Sequence, residues 1–314
     1  MSGLMKGLWG IALLSLILVL GACSQTEESD GKSESEKITV VTTIAQIGEP
    51  LSVIGGDYVQ VESLMGPSID PHLYNPTQSD INKLDSGDVI FYSGLHLEAN
   101  MVDIFESISK SKPVLALGDA LSEDDLLKDK GGAVDPHIWF DIDLWKQGLG
   151  AAVEELKEYL PEHADYFEKN KQDYFAKLDE LKEDAEKLAQ IPEDQRILVT
   201  AHDAFGYFGR MNDLEVIGLQ GLSTEDEIGI SDINHTIEMI IEYHVPAIFV
   251  ESSINQASIN AVIEGAVSDG VEVALGGELY SDAMGEAGTE EGTYIGMYRH
   301  NIDTIYDALI GDVE

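Results

Sequence analysis

The sequence predicts an α/β protein of two lobes, each a mainly parallel sheet flanked by helices, joined by one long rigid helix. Three observations predict it. Short β-branched runs alternate with amphipathic helical stretches from residue 38 to 117, the same alternation resumes after residue 190, and the most periodic segment of the chain lies between. Such alternation is the mark of βαβ units, whose crossovers leave neighbouring strands parallel.

Ahead of the first lobe, Lys6 precedes an apolar run at 8–20 that closes on Leu20-Gly21-Ala22-Cys23. The run falls short of the roughly 20 residues that span a bilayer and has the shape of a secretory signal, so residues 1–22 are expected to be removed. The Leu-Gly-Ala-Cys ending resembles the bacterial lipobox. A plain signal followed by an incidental thiol is the alternative, but Cys23 is the only cysteine in the chain, and lipidation at Cys23 is expected. Residues 24–37, SQTEESDGKSESEK, carry no apolar side chain to bury and read as a disordered acidic tether.

The N-terminal lobe is expected over 38–160, with strands at 38–43, 59–64, 89–93 and 114–117 and helices at 47–54, 78–84 and 101–108. In the linking segment, Tyr174, Leu178, Leu181, Ala185 and Leu188 recur at alternating spacings of four and three, which makes one apolar stripe on a helix over 161–190. At 1.5 Å per residue this is a rod of roughly 45 Å, which limits how far two lobes can swing. A lone surface helix within one large domain is the alternative. Ile191-Pro192 ends the helix. The C-terminal lobe, 191–314, is expected to hold strands at 197–200, 214–219, 247–251 and 271–275 and helices at 204–211, 233–243 and 259–267.

Composition narrows the function. The 314 residues include 44% hydrophobic side chains, and 59 Asp plus Glu stand against 18 Lys plus Arg, a formal charge of -41. Nucleic acid is excluded as a partner, because neutralising phosphates takes Lys and Arg. Most of the excess carboxylates must form a solvated coat, since no single site could use them all. One cysteine can neither close an internal disulfide nor build a thiolate zinc cage, so a metal site here must use His and carboxylates.

Of the eight histidines, three stand in polar loop positions: His72 in Asp70-Pro71-His72-Leu73-Tyr74-Asn75-Pro76-Thr77, His137 in Asp135-Pro136-His137-Ile138-Trp139, and His202 in Thr200-Ala201-His202-Asp203. His72 and His202 follow predicted strands, and open α/β sheets bind ligands at the carboxyl ends of strands. Proline after aspartate stiffens the turn and can aim an imidazole in advance. Neutral imidazoles with a carboxylate suit Zn²⁺ and its neighbours better than Ca²⁺ or Mg²⁺. After the last strand, Glu278 and Asp282 both offer the anionic ligand, and spacing does not choose between them. Asp70, Asp135 and Asp203 are candidates to fix imidazole tautomers, with turn or cap duties as the alternative. His96, His163, His235, His244 and His300 lack the proline-set turn and are not expected to touch metal.

In their order along the chain, the lipobox, both Asp-Pro-His segments, the long helix, Thr200-Ala201-His202-Asp203-Ala204-Phe205 and Leu279-Tyr280-Ser281-Asp282 resemble the metal-binding lipoproteins of ABC importers. These are the zinc and manganese class of cluster A substrate-binding proteins, some of them labelled adhesins. The resemblance covers the chain after residue 37. It implies a metal buried between the lobes, with His72 and His137 from the first lobe and His202 and Asp282 from the second as ligands, which selects Asp282 over Glu278. Many manganese-binding members have Glu where His202 stands, and many zinc specialists carry a His-rich loop before the second ligand, whereas 117–134 holds no histidine here. Three imidazoles favour Zn²⁺ on ligand softness, and Mn²⁺ binds such a site more weakly. Zinc and manganese both stand as the cargo.

The expected function is therefore capture of a divalent transition metal by a monomer held outside the cell membrane on a lipid anchor, followed by delivery to ABC permease subunits with their ATPase. The chain itself carries no Gly-x-x-x-x-Gly-Lys phosphate loop to power transport. The alternative is a secreted zinc hydrolase with a three-histidine site and Asp282 as base. Coordination by Asp282 separates the two readings, because a filled shell leaves no position for the attacking water.

Overall fold

The computed structural model describes residues 37–310; the expected signal at 1–22, Cys23 and tether residues 24–36 lie outside the described residues, as do 311–314. The first sheet is built from β1 (Ile38–Thr42), β2 (Val59–Ser63), β3 (Val89–Tyr92) and β4 (Val114–Ala116), between which run α1 (Ala45–Gly55), α2 (Gln78–Ser86) and α3 (Val102–Ile108). Its strands lie in the order β2-β1-β3-β4 and are parallel throughout. Helices cover both faces of such a sheet, which is why Val40, Val41, Ile90 and Phe91 on successive positions are all buried. The entry to α2 is set by Thr77 and Asp80, which cap each other's backbone N–H groups.

The second sheet repeats the plan. β5 (Ile197–His202), α6 (Gly206–Asn212), β6 (Glu215–Gln220), α7 (Ile230–Tyr243), β7 (Ala247–Glu251), α8 (Ala257–Ser268) and β8 (Ala274–Leu279) give the order β6-β5-β7-β8, again parallel. Between the sheets come α4 (Ile142–Tyr159) and α5 (Ala164–Ala185), and α5 is continued by a 3₁₀ turn at each end, Pro161–His163 and Glu186–Gln190. This is the linking helix, and its stripe of Tyr174, Leu178, Leu181, Ala185 and Leu188 is buried as the spacing predicts. The stripe meets α1, α4 and the last helix, α9 (Tyr294–Ile310).

Three elements differ from the sequence expectation. The last strand runs 274–279 instead of 271–275. Gly276 and Gly277 lie inside this strand: a Cβ on Gly276 would lie 2.6 Å from the Phe249 ring, and Gly277 has φ +135° at the bulge against β7. Only glycine lets the two strands approach there. The helices α4 and α9 were not predicted. Each carries helical spacing, in Ile142, Trp145, Leu149, Ala152, Val153 and Leu156 and in Tyr294, Met297, Tyr298, Ile302, Ile305 and Leu309, all buried.

The core shows how the lobes are held. One apolar cluster runs from the first sheet through α4 and α5 to α9 and includes Phe205 and Phe208 of the second lobe, while a smaller cluster around Val199, Ile248, Ile259 and Val262 fills the outer part of that lobe. At the seam, Phe140 stacks on Phe205 with ring centres 4.6 Å apart. Tyr294 and Tyr298 of α9 donate their hydroxyls to the Trp139 and Phe140 carbonyls, at 2.6 and 2.9 Å. Each fully buried aromatic contributes about 1.5–3 kcal/mol, so parting this seam widely is costly.

Candidate metal centre

Asp70 and Asp135 do the same local work. Each carboxylate accepts the backbone N–H of the histidine two residues on, both at 2.9 Å, closing an Asx turn around the intervening proline. The turns bring His72 and His137 to within 3.3 Å of each other, Nε2 to Nε2. From the other lobe, His202 is the last residue of β5 and Asp282 lies three residues beyond the end of β8. The loop carrying Asp282 is tied to the first lobe, where the Ser281 carbonyl accepts from Gln46 Nε2 at 3.2 Å and from Trp139 Nε1 at 3.1 Å.

All four residues are buried, with exposures of 3% for His72, 0% for His137 and His202, and 1% for Asp282. One ligand atom from each lies within 4.8 Å of all the others. The His202 and His137 Nε2 atoms are 3.4 Å apart, and the Asp282 oxygens stand 3.4 Å from His137, 3.3 Å from His202 and 3.9 Å from His72. An ion about 2.0–2.1 Å from four tetrahedral donors spaces those donors about 3.3–3.4 Å apart. Four of these separations have that spacing, including the 3.3 Å between His72 and His137, and the one between Asp282 and His72 is wider.

Neither oxygen of Asp282 accepts a hydrogen bond. A buried carboxylate in that condition needs positive charge beside it, which protonated His137 and His202 supply without metal and an ion among the three imidazoles would supply in their place.

The outer nitrogens are aimed as well. Asp135 Oδ1 lies 2.7 Å from Nδ1 of His137, and Glu251 Oε2 lies 2.5 Å from Nδ1 of His202, while Glu251 Oε1 accepts the His202 backbone N–H at 2.9 Å. Each carboxylate lies against Nδ1 and leaves Nε2 as the nitrogen turned inward, able to bind an ion once its proton is expelled. Glu251 ends β7, the strand beside β5 where the chain crosses from one side of the sheet to the other, and such switch points are where α/β sheets bind ligands.

The electrostatics follow from these neighbours. Burial would lower the His137 pKa, but the carboxylates of Asp135 and Asp282 outweigh it and hold it up at about 9. For His202, burial is likewise outweighed, by Glu251 and Asp282, and its pKa stands well above the usual imidazole value. For His72 burial outweighs the attraction of Asp282, the His137 and His202 imidazoles repel a further positive charge, and the pKa falls to about 3. Burial opposes ionisation of Asp282 too, but the imidazoles, His202 first, keep its pKa well below the ordinary carboxylate range.

The remaining candidates fall elsewhere. Glu278 is exposed in β8, and its carbonyl lies 2.9 Å from His300 Nε2. Asp203 contributes its backbone N–H to the Gln220 carbonyl and is not among the groups found on an imidazole. His163 stacks on Tyr58 with ring centres 3.6 Å apart, and His96, His235 and His244 are likewise outside the four-residue cluster. Sequence reasoning missed Glu251; the available signal was an acid ending the otherwise apolar run of β7.

Over residues 40–308 the sequence matches the family described as zinc-uptake complex component A, periplasmic. The chain belongs to this family. It is 46% identical over 300 residues to the manganese-binding lipoprotein MntA of Bacillus subtilis (strain 168), covering 95% of this chain and 97% of that protein. To the zinc-binding protein TroA of Treponema pallidum (strain Nichols) it is 40% identical over 301 residues, covering 95% and 98%. The solved structure of periplasmic TroA superposes with a TM-score of 0.86 at 42% identity, covering 88% of this chain and all of that one (100%). Fe(III)-bound YtgA from Chlamydia trachomatis superposes at 0.79 with 29% identity, covering 88% and 100%. Two parallel-sheet lobes joined by a long helix are thus the family's architecture, and the centre lies in the seam between them.

Proposed function

We propose that this protein captures a divalent transition metal ion, zinc or manganese, outside the cytoplasm and delivers it to an ABC permease. Its ligands are His72, His137, His202 and Asp282. The observation that carries this reading is the close grouping of four buried donor residues, three imidazoles around one carboxylate that has no well-formed hydrogen bond. Similar proteins are named for zinc, manganese or iron(III), and a mixed imidazole and carboxylate shell suits the first two as divalent ions. Against the hydrolase stands the position of Asp282: its oxygens stand 3.3 and 3.4 Å from His202 and His137 and 3.9 Å from His72, where they complete a shell instead of activating a water. The protein holds its ion and does not turn over a substrate.

In this reading, residues 1–22 are a cleaved signal, Cys23 carries the lipid anchor, and 24–37 tether a monomer whose lobes, 38–160 and 191–314, are linked through 161–190. The lone cysteine after the apolar run supports the anchor, as does the lipoprotein name of the Bacillus relative. No described helix is long and apolar enough to cross a membrane. The permease and its ATPase supply the path and the energy.

The test is metal analysis of the mature chain from medium containing both Zn²⁺ and Mn²⁺, beside His202→Ala and Asp282→Ala. One ion per chain is expected. Sharing about 10–16 kcal/mol of binding among four ligands makes each worth about 3 kcal/mol, so either variant should weaken binding on the order of a hundredfold or more. A wild type that takes up no ion, or variants that bind as it does, would contradict the assignment.

A further inference from the structure

A cavity of about 350 Å³ lies beside the centre with His72 in its wall, and its lining comes from both lobes: Leu95, His96, Val134 and Pro136 from the first, Leu222 from the second. His96 is exposed whereas His72 is buried, so the cavity borders solvent at one histidine and the centre at the other. The walls between them are chiefly apolar. A divalent ion crossing them sheds water without a replacement donor, which is costly unless a side chain supplies one on the way.

The backbone leading to His96 is unusual. Gly94, Leu95 and His96 have φ of +80°, +53° and +70°, three successive residues in the left-handed region that L side chains avoid. A buried acid with no part in the metal centre pins this turn. Glu98 accepts the N–H groups of Ser93 and Gly94 at 2.9 and 3.1 Å and the Thr43 hydroxyl at 2.6 Å. Non-glycine residues persist in this conformation only where their surroundings enforce it, and such places cluster at ligand sites.

We propose that His96 is a transit ligand for the metal ion. An imidazole nitrogen of His96 replaces one water on the incoming ion at the cavity mouth, the ion passes to His72, and release runs the same steps backwards. This rests on the reading of His72, His137, His202 and Asp282 as the metal centre. A group that touches the ion only in passage lowers the barrier equally in both directions, so it changes the rates and not the equilibrium.

The experiment is stopped-flow binding and chelator-driven release of Zn²⁺ and of Mn²⁺ with the mature chain and two variants, His96→Asn and His96→Gly. Asn removes the imidazole while tolerating a left-handed backbone, and Gly removes it while relaxing the turn. Both variants are expected to slow association and release alike by about tenfold, leaving Kd unchanged. Unchanged rates would overturn the proposal, and so would a Kd that weakens with faster release, the mark of a holding or structural residue. Slowing in His96→Gly alone would overturn it too, since the backbone would then be responsible. Failure of the metal centre shows separately, as a wild type without metal or an Asp282→Ala chain that binds normally.

Discussion

In both Asp70-Pro71-His72 and Asp135-Pro136-His137 the aspartate accepts the N–H of the histidine two residues on, at the same 2.9 Å. Beyond that bond the two turns part. Asp135 also reaches the His137 ring nitrogen at 2.7 Å, locking one ligand in one tautomer. Asp70 instead turns its second oxygen across the seam to accept the Thr224 hydroxyl at 2.6 Å. The same tripeptide therefore fixes a ligand in one place and fastens the two lobes beside a ligand in the other. His137 is wholly enclosed, whereas His72 borders the cavity, so the ligand with the looser ring is the one nearest the way out.

The sharpest way to break this comparison is at the ring-bound carboxylate. Asp135→Asn should weaken metal binding about 10- to 100-fold, the usual cost of losing an outer partner of a ligating histidine. Glu251→Gln should act likewise through His202, from the opposite lobe. Isothermal titration of both variants checks this; affinities within twofold of wild type would mean that the carboxylates merely fill space.

The proton inventory separates the turns next. Without metal, His137, held at about 9, and His202, held well above the usual value, keep their protons at neutral pH, whereas His72 has none to lose. Metal must expel the competing protons, so raising the pH helps binding. Between about pH 6 and 8 the affinity should rise by about tenfold per unit for each proton released. Titration in buffers of different ionisation heats counts those protons, and an affinity independent of pH over that range would contradict this electrostatic picture.

The smallest effect belongs to the fastening between lobes. Thr224→Val keeps the side chain's shape and removes the bond to Asp70, which should cost about 0.5–1.5 kcal/mol and quicken metal release about 2- to 10-fold. Fluorescence of the buried Trp139, whose ring stands 5.3 Å from that of His137, can follow the release. A release rate equal to wild type would show that Asp70 serves its own turn only.

What could be read from the sequence was the part carried by short-range patterns. The β-branched runs that became β1 and β7 and the stripe on the linking helix depend on neighbours at fixed spacing, as does proline after Asp70 and Asp135. The juxtaposition of His72 with His202 was available only through resemblance, because it depends on how two sheets of like strand order face each other. Glu251 escaped for the same reason: its partner His202 is adjacent only once β5 and β7 are paired. The expected last strand stopped short of Gly276-Gly277 because the Phe249 ring that calls for glycine inside the strand is distant in sequence. Spacing alone left Asp282 level with Glu278, and resemblance selected Asp282; the physical reason lies in the loop after β8, anchored through Ser281 to Trp139 and Gln46.

The most direct measurement of the central claim is X-ray absorption at the zinc edge of the zinc-loaded mature chain. Three imidazole nitrogens at about 2.0–2.1 Å and a carboxylate oxygen at about 2.0–2.2 Å are predicted, with one imidazole contribution lost in His202→Ala. A shell made of oxygens alone, or one unchanged by that substitution, would contradict a centre shared between the lobes.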